Sequence, residues 1–208
     1  MIIVGGMIGI GKTTYVQILE EQFASRAFYE SVDDNPILTK FYAEPDKYAF
    51  MSQFYFAITR FASMREASKH GRFLIDRSIY EDMLFAQVNY DLDRMTDEEK
   101  MMYDLLMAEL LKEIKTHYSK SPHLLVYLKA SFETILARIA IRNRDFEQDK
   151  ALVEYYRALH IRYDEWMFAH HHSAHTLVID ADRYDILKPQ DKKIIVNEIN
   201  LKLLALGL

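Results

Sequence analysis

Short apolar runs alternate along this chain with longer stretches whose apolar residues recur every three or four positions. Met1 to Val4 is the first run, and Lys12 to Phe23 follows with Val16, Leu19 and Phe23 on one helical face. Ala27-Phe28-Tyr29 leads into Glu30 as a second strand. Asn35 and Pro36 then break the chain before a long helical stretch, roughly Asp46 to Lys69. Gly71 restarts it, and Phe73-Leu74-Ile75 is a buried-type strand ending at Asp76. The periodicity predicts helices over about Ile79 to Tyr90 and Asp97 to His117, with Pro122 closing them off before the strand Leu124 to Leu128. Ser131 to Arg142 reads as a helix, Asn143 to Lys150 as a charged connection, and Ala151 to Phe168 as a helix again. Thr176 to Ile179 is the fifth strand and Asp191 to Leu206 a final amphipathic helix. Five short apolar strands separated by helices imply a parallel sheet covered on both faces.

Composition removes several function classes. A length of 208 residues suits one α/β domain, or one domain with a small lid, so residues 1–208 are expected to form a single unit. With no cysteine, disulfides, thiol nucleophiles and cysteine-bound zinc are ruled out, which fits a reducing, cytoplasmic setting. The 26 basic and 31 acidic residues leave a net charge of −5, which argues against a nucleic-acid coat. No apolar run approaches the ~20 residues needed to span a bilayer. Met1-Ile2-Ile3-Val4 runs straight into a glycine loop, unlike a signal peptide.

Glycine usage marks the first chemistry. Of six glycines, Gly5, Gly6, Gly9 and Gly11 fall within seven residues. Gly6-Met7-Ile8-Gly9-Ile10-Gly11-Lys12-Thr13 matches G-x-x-x-x-G-K-[ST], with Thr14 next along the helix. Glycines let the backbone close around an anion with its N–H groups inward, and the following helix adds its positive end. Lys12 is placed to reach the β- and γ-phosphates and the Thr13 hydroxyl to ligate Mg²⁺. The chain is thus expected to bind a nucleoside triphosphate.

A phosphate loop does not say where the phosphate goes. Glu30 sits at the C-terminal end of the second strand, the edge at which open α/β sheets carry ligands, and can take up a hydroxyl proton there. It could equally be a solvated strand-end acid. Asp76-Arg77-Ser78 ends the third strand on the same edge: Asp76 is a candidate Mg²⁺ ligand, Arg77 can neutralise a phosphate, and Ser78 can cap a helix. Arg138 and Arg142 share a helix face, with Arg144 just beyond. A lid of about residues 138–150 could fold over a triphosphate and stabilise charge on the transferred group.

From Gly6 to about Trp166 these motifs, in this order, resemble the deoxyribonucleoside kinases, in particular bacterial deoxyadenosine/deoxyguanosine kinases. The resemblance implies a three-layer P-loop nucleoside kinase fold, with a five-stranded parallel sheet of order 2-3-1-4-5, helices on both faces and an arginine-rich lid. It makes Glu30 similar to the family's catalytic base. Tyr42, in Tyr42-Ala43-Glu44-Pro45-Asp46-Lys47-Tyr48, would bind the sugar 3′-hydroxyl, and Gln53 the base. Arg60 falls where the family keeps a base-recognising arginine. Asp76-Arg77-Ser78 is similar to the acidic-Arg-Ser motif, Asp82 to the acid that pairs with the base, and Arg138, Arg142 and Arg144 to the lid arginines. Glu154, in Val153-Glu154-Tyr155-Tyr156, matches the glutamate that holds the 3′-hydroxyl. The loop beginning Asp180-Ala181-Asp182 would cradle the ATP adenine, and an aromatic near Phe85 would stack on the substrate base.

Ionised Asp82 only accepts and Arg60 only donates, a pair suited to a base with an exocyclic amino group: adenine, guanine or cytosine. Thymine lacks that donor. The acidic-Arg-Ser motif beginning with Asp76, with Asp82 close behind, is most similar to bacterial purine deoxynucleoside kinases, a resemblance that implies deoxyadenosine or deoxyguanosine as acceptor, with deoxycytidine secondary. The implied reaction is ATP-Mg²⁺ plus deoxynucleoside giving ADP and the 5′-monophosphate, in nucleotide salvage. A thymidylate-kinase-like monophosphate kinase is the alternative enzyme, and a non-catalytic nucleotide-binding subunit the alternative of another class. Neither a nucleic acid nor a membrane is an expected partner. The stripe Met101, Met102, Leu105, Leu106, Met107, Leu110 and Leu111 reads as core with surface to spare, and family members pair through such helices, so a homodimer is expected. His170, His171, His172 and His175 read as a solvated helix end rather than a zinc site.

Overall fold

The structure is a computed structural model that describes residues 1–30, 32, 34–70, 73–117 and 124–208. Gly71 and Pro122, which the sequence marks as breaks, lie outside the described residues. β1 (Ile2–Gly6) is the centre of a five-stranded sheet. It pairs in parallel with β3 (Phe73–Asp76) on one side and β4 (Leu124–Lys129) on the other. β2 (Arg26–Phe28) flanks β3 and β5 (Thr176–Asp180) flanks β4, again in parallel, which completes the order β2-β3-β1-β4-β5. Every residue of β1 and β3 is buried, as expected of strands covered on both faces. Because all five strands point the same way, their C-terminal ends share one edge.

Helices surround the sheet: α1 (Lys12–Phe23), α2 (Leu38–Ala43), α3 (Pro45–Ala67), α4 (Ile79–Asp91), α5 (Asp97–His117), α6 (Phe132–Arg142), α7 (Leu152–His170) and α8 (Pro189–Ala205). α1 and α5 have the bounds their periodicity predicts. Most other bounds shift by one or two residues. The long third helix starts with Pro45 in its first turn, where the missing N–H costs nothing. β2 stops at Phe28, short of Tyr29 and Glu30. α2 is an addition: six residues are too few to show a helical period, and the Asn35 side chain sets them up by accepting from the N–H groups of Ile37 (2.9 Å) and Leu38 (3.2 Å). The charged connection after α6 contains a short 3₁₀ turn, Asp145–Glu147.

The histidine segment is a correction. α7 runs on to His170, and His171 is buried rather than solvated, with Nε2 3.1 Å from the Ser78 hydroxyl and its ring edge-on to Tyr80. His170 stacks on Trp166 at 4.5 Å. The apolar stripe on α5 is also split: Met107 is core, whereas Met101, Met102 and Leu105 are exposed, as are Met51, Phe54 and Ile58 on α3. Among the described residues no helix is long and apolar enough to cross a membrane.

Candidate active site

The shared edge opens into a cavity of about 750 Å³. One wall is the loop between β1 and α1. Gly9 has φ +80°, and a Cβ there would lie 2.6 Å from Ile139 Cγ1, so both backbone and space demand glycine. Gly6 (φ +146°) would bring a Cβ within 2.7 Å of the Leu128 carbonyl oxygen. Residues from Ile8 to Thr14 face the cavity, while Gly6 and Met7 lie behind it. Lys12 folds back over its own loop and donates to the carbonyls of Gly6 (2.9 Å) and Met7 (3.0 Å). Burial pushes its ammonium pKa down and nearby Arg77 adds to this. Asp76, Glu30 and Glu81 offset only part, leaving it at about 8.

The Thr13 hydroxyl donates to Asp76 Oδ2 at 2.7 Å. Asp76 Oδ1 is buried with no hydrogen-bond partner among the described residues. Burial raises the Asp76 pKa, against the pull of Lys12. An orphaned carboxylate oxygen beside a threonine hydroxyl fits a hard cation that takes few protein oxygens and completes its shell with phosphate and water.

Glu30 leaves the end of β2 and turns into the same cavity. Its Oε1 accepts from Arg60 Nη2 (2.8 Å) and Arg77 Nε (2.9 Å). Burial would raise its pKa, but Arg77, Arg60 and Lys12 together outweigh that and hold it at about 2. Arg77 itself follows β3 in a left-handed conformation, φ +78°, a strained position for a non-glycine residue. Its backbone N–H donates to the Val4 carbonyl (2.9 Å), and its guanidinium lies over the Phe85 ring at 4.6 Å.

Arg60 is buried and lies behind the cavity rather than on its wall. Its Nε and Nη2 grip Asp82 at 2.5 and 3.0 Å, Nη1 donates to the carbonyls of Asp76 (2.7 Å) and Arg77 (3.3 Å), and Nη2 also meets Glu30. All five N–H donors of this guanidinium are therefore committed to protein acceptors. The geometry departs from the expected arginine–base contact. Arg60 braces Glu30 and Asp82, which do face the cavity, together with Tyr42, Gln53, Phe56 and Phe85. Burial raises the Asp82 pKa to about 6 despite Arg60.

Glu154 is not brought to the cavity. It is exposed on the first turn of α7, while its neighbour Tyr155, about 100° round the helix, faces inward. The carboxylate on the wall here is Glu147, which is buried and accepts from Arg142 Nε (3.1 Å) and Nη2 (2.5 Å), with Arg144 at 3.8 Å. Its position three residues after Arg144, between two arginines and Tyr156, is the sequence signal that could have singled it out. Tyr42 lies beside it, its ring 5.2 Å from Phe146. Arg138, Arg142 and Arg144 all reach the cavity, and Arg138 joins the phosphate loop to the loop after β5 by donating to Ile10 O and Ala181 O. Beyond Asp180-Ala181-Asp182, that loop turns Tyr184 to Leu187 toward the same space.

Two further buried residues were missed: Glu81, whose only local signal is its Ser-x-x-Glu spacing from Ser78 and which accepts from Gly6 N (2.9 Å) and Ser78 N (2.6 Å), and Tyr163, which has none and whose hydroxyl is 2.8 Å from the Gly6 carbonyl.

Residues 2–204 match the family model described as deoxynucleoside kinase. Similar curated proteins include a deoxyguanosine kinase of Lactobacillus acidophilus, 41% identical over all of this chain and 92% of that protein. A deoxyadenosine kinase of the same organism is 34% identical over all of this chain and 98% of that protein. Among solved structures, deoxyadenosine kinase from M. mycoides with products dCMP and a flexible dCDP bound superposes with a TM-score of 0.80 at 26% identity, covering 96% of this chain and 98% of that one.

Proposed function

The chain belongs to the deoxynucleoside kinase family, and from that premise we propose how its cavity moves the γ-phosphoryl group of ATP to the 5′-hydroxyl of a purine deoxynucleoside, deoxyguanosine or deoxyadenosine. The supporting observation is an ionised carboxylate, Glu30, held between two buried guanidiniums in the same cavity as the phosphate loop. ATP is the donor. Loop N–H groups and Lys12 hold its phosphates, and Lys12 exchanges two backbone carbonyls for phosphate oxygens as it does so. Thr13 and Asp76 would hold Mg²⁺, which when bound neutralises charge on the donor phosphates. Residues 138–150 act as the lid, with Arg138, Arg142 and Arg144 on the transferring group.

On the acceptor side, Glu30 points the 5′-hydroxyl at the γ-phosphorus and takes its proton. A base with a pKa of about 2 is weak, but the loose transition state of phosphoryl transfer needs the proton removed only late, so orientation dominates. Tyr42 and Glu147 flank the sugar 3′-hydroxyl, replacing the Glu154 expectation. Gln53 and Asp82 read the base edge and Phe85 packs on its face. Asp82, an acceptor held rigid by Arg60, supports a base with an exocyclic amino group. The guanine lean rests on the name of the 41%-identical relative. Exposed Met51, Phe54, Ile58, Met101, Met102 and Leu105 on α3 and α5 support a homodimer through these helices, and a cytosolic setting supplies the ATP. A four-substrate panel with Mg²⁺-ATP checks the base assignment. The highest kcat/KM is expected for deoxyguanosine or deoxyadenosine, and thymidine as the best acceptor would overturn it.

A further inference from the structure

Behind the cavity, away from any position a substrate can touch, Glu81 on α4 is completely buried, at 0% exposure. Its Oε2 accepts from the backbone N–H of Ser78 at 2.6 Å, the return half of the box that starts α4. That bond alone would explain a glutamate at this position. Its Oε1 does something else. It accepts from the N–H of Gly6 at 2.9 Å, lies 2.5 Å from the Tyr163 hydroxyl, and is 3.4 Å from Arg77 Nη1. Tyr163, from α7, completes the set: it accepts from Arg77 Nη1 at 2.8 Å, and its oxygen is 2.8 Å from the Gly6 carbonyl. Its single proton serves either that carbonyl or Glu81.

Both backbone polar groups of Gly6, its N–H and its C=O, are thereby gripped from behind, and the same two side chains grip Nη1 of Arg77. Gly6 O is also one of the two carbonyls on which Lys12 rests. Arg77 Nε is fixed by Glu30. Among the described residues Nη2 meets no protein acceptor, and Arg77 is on the cavity wall, so Nη2 is the donor left for a ligand. The buried carboxylate needs its charge compensated, and Arg77 is the cation in contact with it. The Tyr163 ring is itself locked, stacked parallel to Tyr127 at 6.2 Å.

We propose that Glu81 and Tyr163 are positioning residues that fix Arg77 against the phosphate loop, so that donor and acceptor sites are held in one register for transfer. The proposal rests on the kinase reading above. Neither residue touches substrate. They act by denying Arg77 the rotations that would swing Nη2 off line, in a backbone that is already left-handed at that residue. A general packing role would lower stability without caring whether residue 77 has a fork to orient.

Tyr163→Phe separates the two, because it removes one oxygen and keeps the ring. Against deoxyguanosine, kcat is expected to fall ~10- to 100-fold, the range for a lost hydrogen bond to a charged group, while KM moves less than about threefold. In an Arg77→Lys background, which has no second nitrogen to aim, the same substitution is expected to cost less than about threefold. An equal loss in both backgrounds, an unchanged kcat, or a loss confined to KM overturns the proposal. Should Tyr163→Phe melt below the assay temperature, Glu81→Gln is read by the same cycle, since it keeps the box to Ser78 and weakens the hold on Arg77. A wild-type protein that phosphorylates no deoxynucleoside would sink the kinase reading instead, and is distinguished from these outcomes by its own zero rate.

Discussion

Glu30→Gln changes one oxygen for an NH₂ at the point where Arg60 and Arg77 converge. Two consequences follow from the geometry. The amide cannot accept a proton, and it is forced either to keep its carbonyl toward the two guanidiniums or to turn an N–H against them. With the carbonyl held there, the NH₂ faces the 5′-hydroxyl and repels its proton. Loss of a positioned general base typically costs 10²- to 10⁴-fold, about 3–5 kcal/mol of barrier, and the fall is expected in kcat with ATP affinity unchanged. Stability moves as well. A carboxyl whose pKa drops from 4.5 to about 2 on folding stabilises the native state above pH 4.5, and that contribution fades as pH falls through 2. At pH 7 the amide therefore forfeits a stabilisation on the order of 3 kcal/mol, so the variant must be assayed below its lowered melting temperature. Single-turnover mixing with saturating Mg²⁺-ATP isolates the transfer step. Because wild-type Glu30 is ionised throughout, any titration of wild-type activity between pH 5 and 7 is expected to come from Asp82, at about 6, and to persist in Glu30→Gln. Turnover in Glu30→Gln within threefold of wild type would remove Glu30 from the mechanism.

Asp82→Asn keeps the shape that Arg60 grips but adds a donor, so thymidine efficiency is expected to rise at least about tenfold relative to deoxyadenosine; an unchanged ratio in kcat/KM would assign Asp82 to support of Arg60 alone. Lys12 has a pKa of about 8 in the free protein, and phosphates raise it, so ATP binding at pH 8.5 is expected to take up a proton and to weaken as pH climbs further; calorimetry in buffers of different ionisation enthalpy would show no such uptake if Lys12 stays neutral. Leu105→Glu should turn a dimer into a monomer by light scattering, while a dimer that survives it, or a wild-type monomer, rejects α3 and α5 as the interface.

What was legible in the sequence was local. Four clustered glycines, Lys12 and Thr13 lie within nine consecutive residues, and the anion-binding backbone follows from that stretch alone. The edge that holds Asp76 at the end of β3, and Glu30 two residues past the end of β2, was legible because parallel strands must place their C-termini on one side. Partnerships across the chain were not. Glu81 meets Gly6 75 positions away and Tyr163 82 positions away, and neither residue belongs to a local pattern except the box that Glu81 makes with Ser78. Arg60 was visible as a site arginine, but only the fold shows that every donor points at protein. Glu154 and Glu147 are both acids near the lid. The 3₁₀ turn at Asp145–Glu147 tucks one inward, whereas the phase of α7 leaves the other in solvent. His171 looked solvated among its histidine neighbours because no periodicity announces that α7 ends against Ser78.

The proposed acceptor is a nucleoside hydroxyl and not a nucleotide phosphate, because the carboxylates Glu30, Asp82 and Glu147 line the acceptor side and already pair with the arginines beside them, Arg77, Arg60, Arg142 and Arg144. Mass spectrometry of the products formed from Mg²⁺-ATP and an equimolar mixture of deoxyguanosine and dTMP tests it in one tube. The expected products are ADP and dGMP, with dTMP left untouched. Conversion of dTMP to its diphosphate ahead of any deoxyguanosine phosphorylation would contradict it.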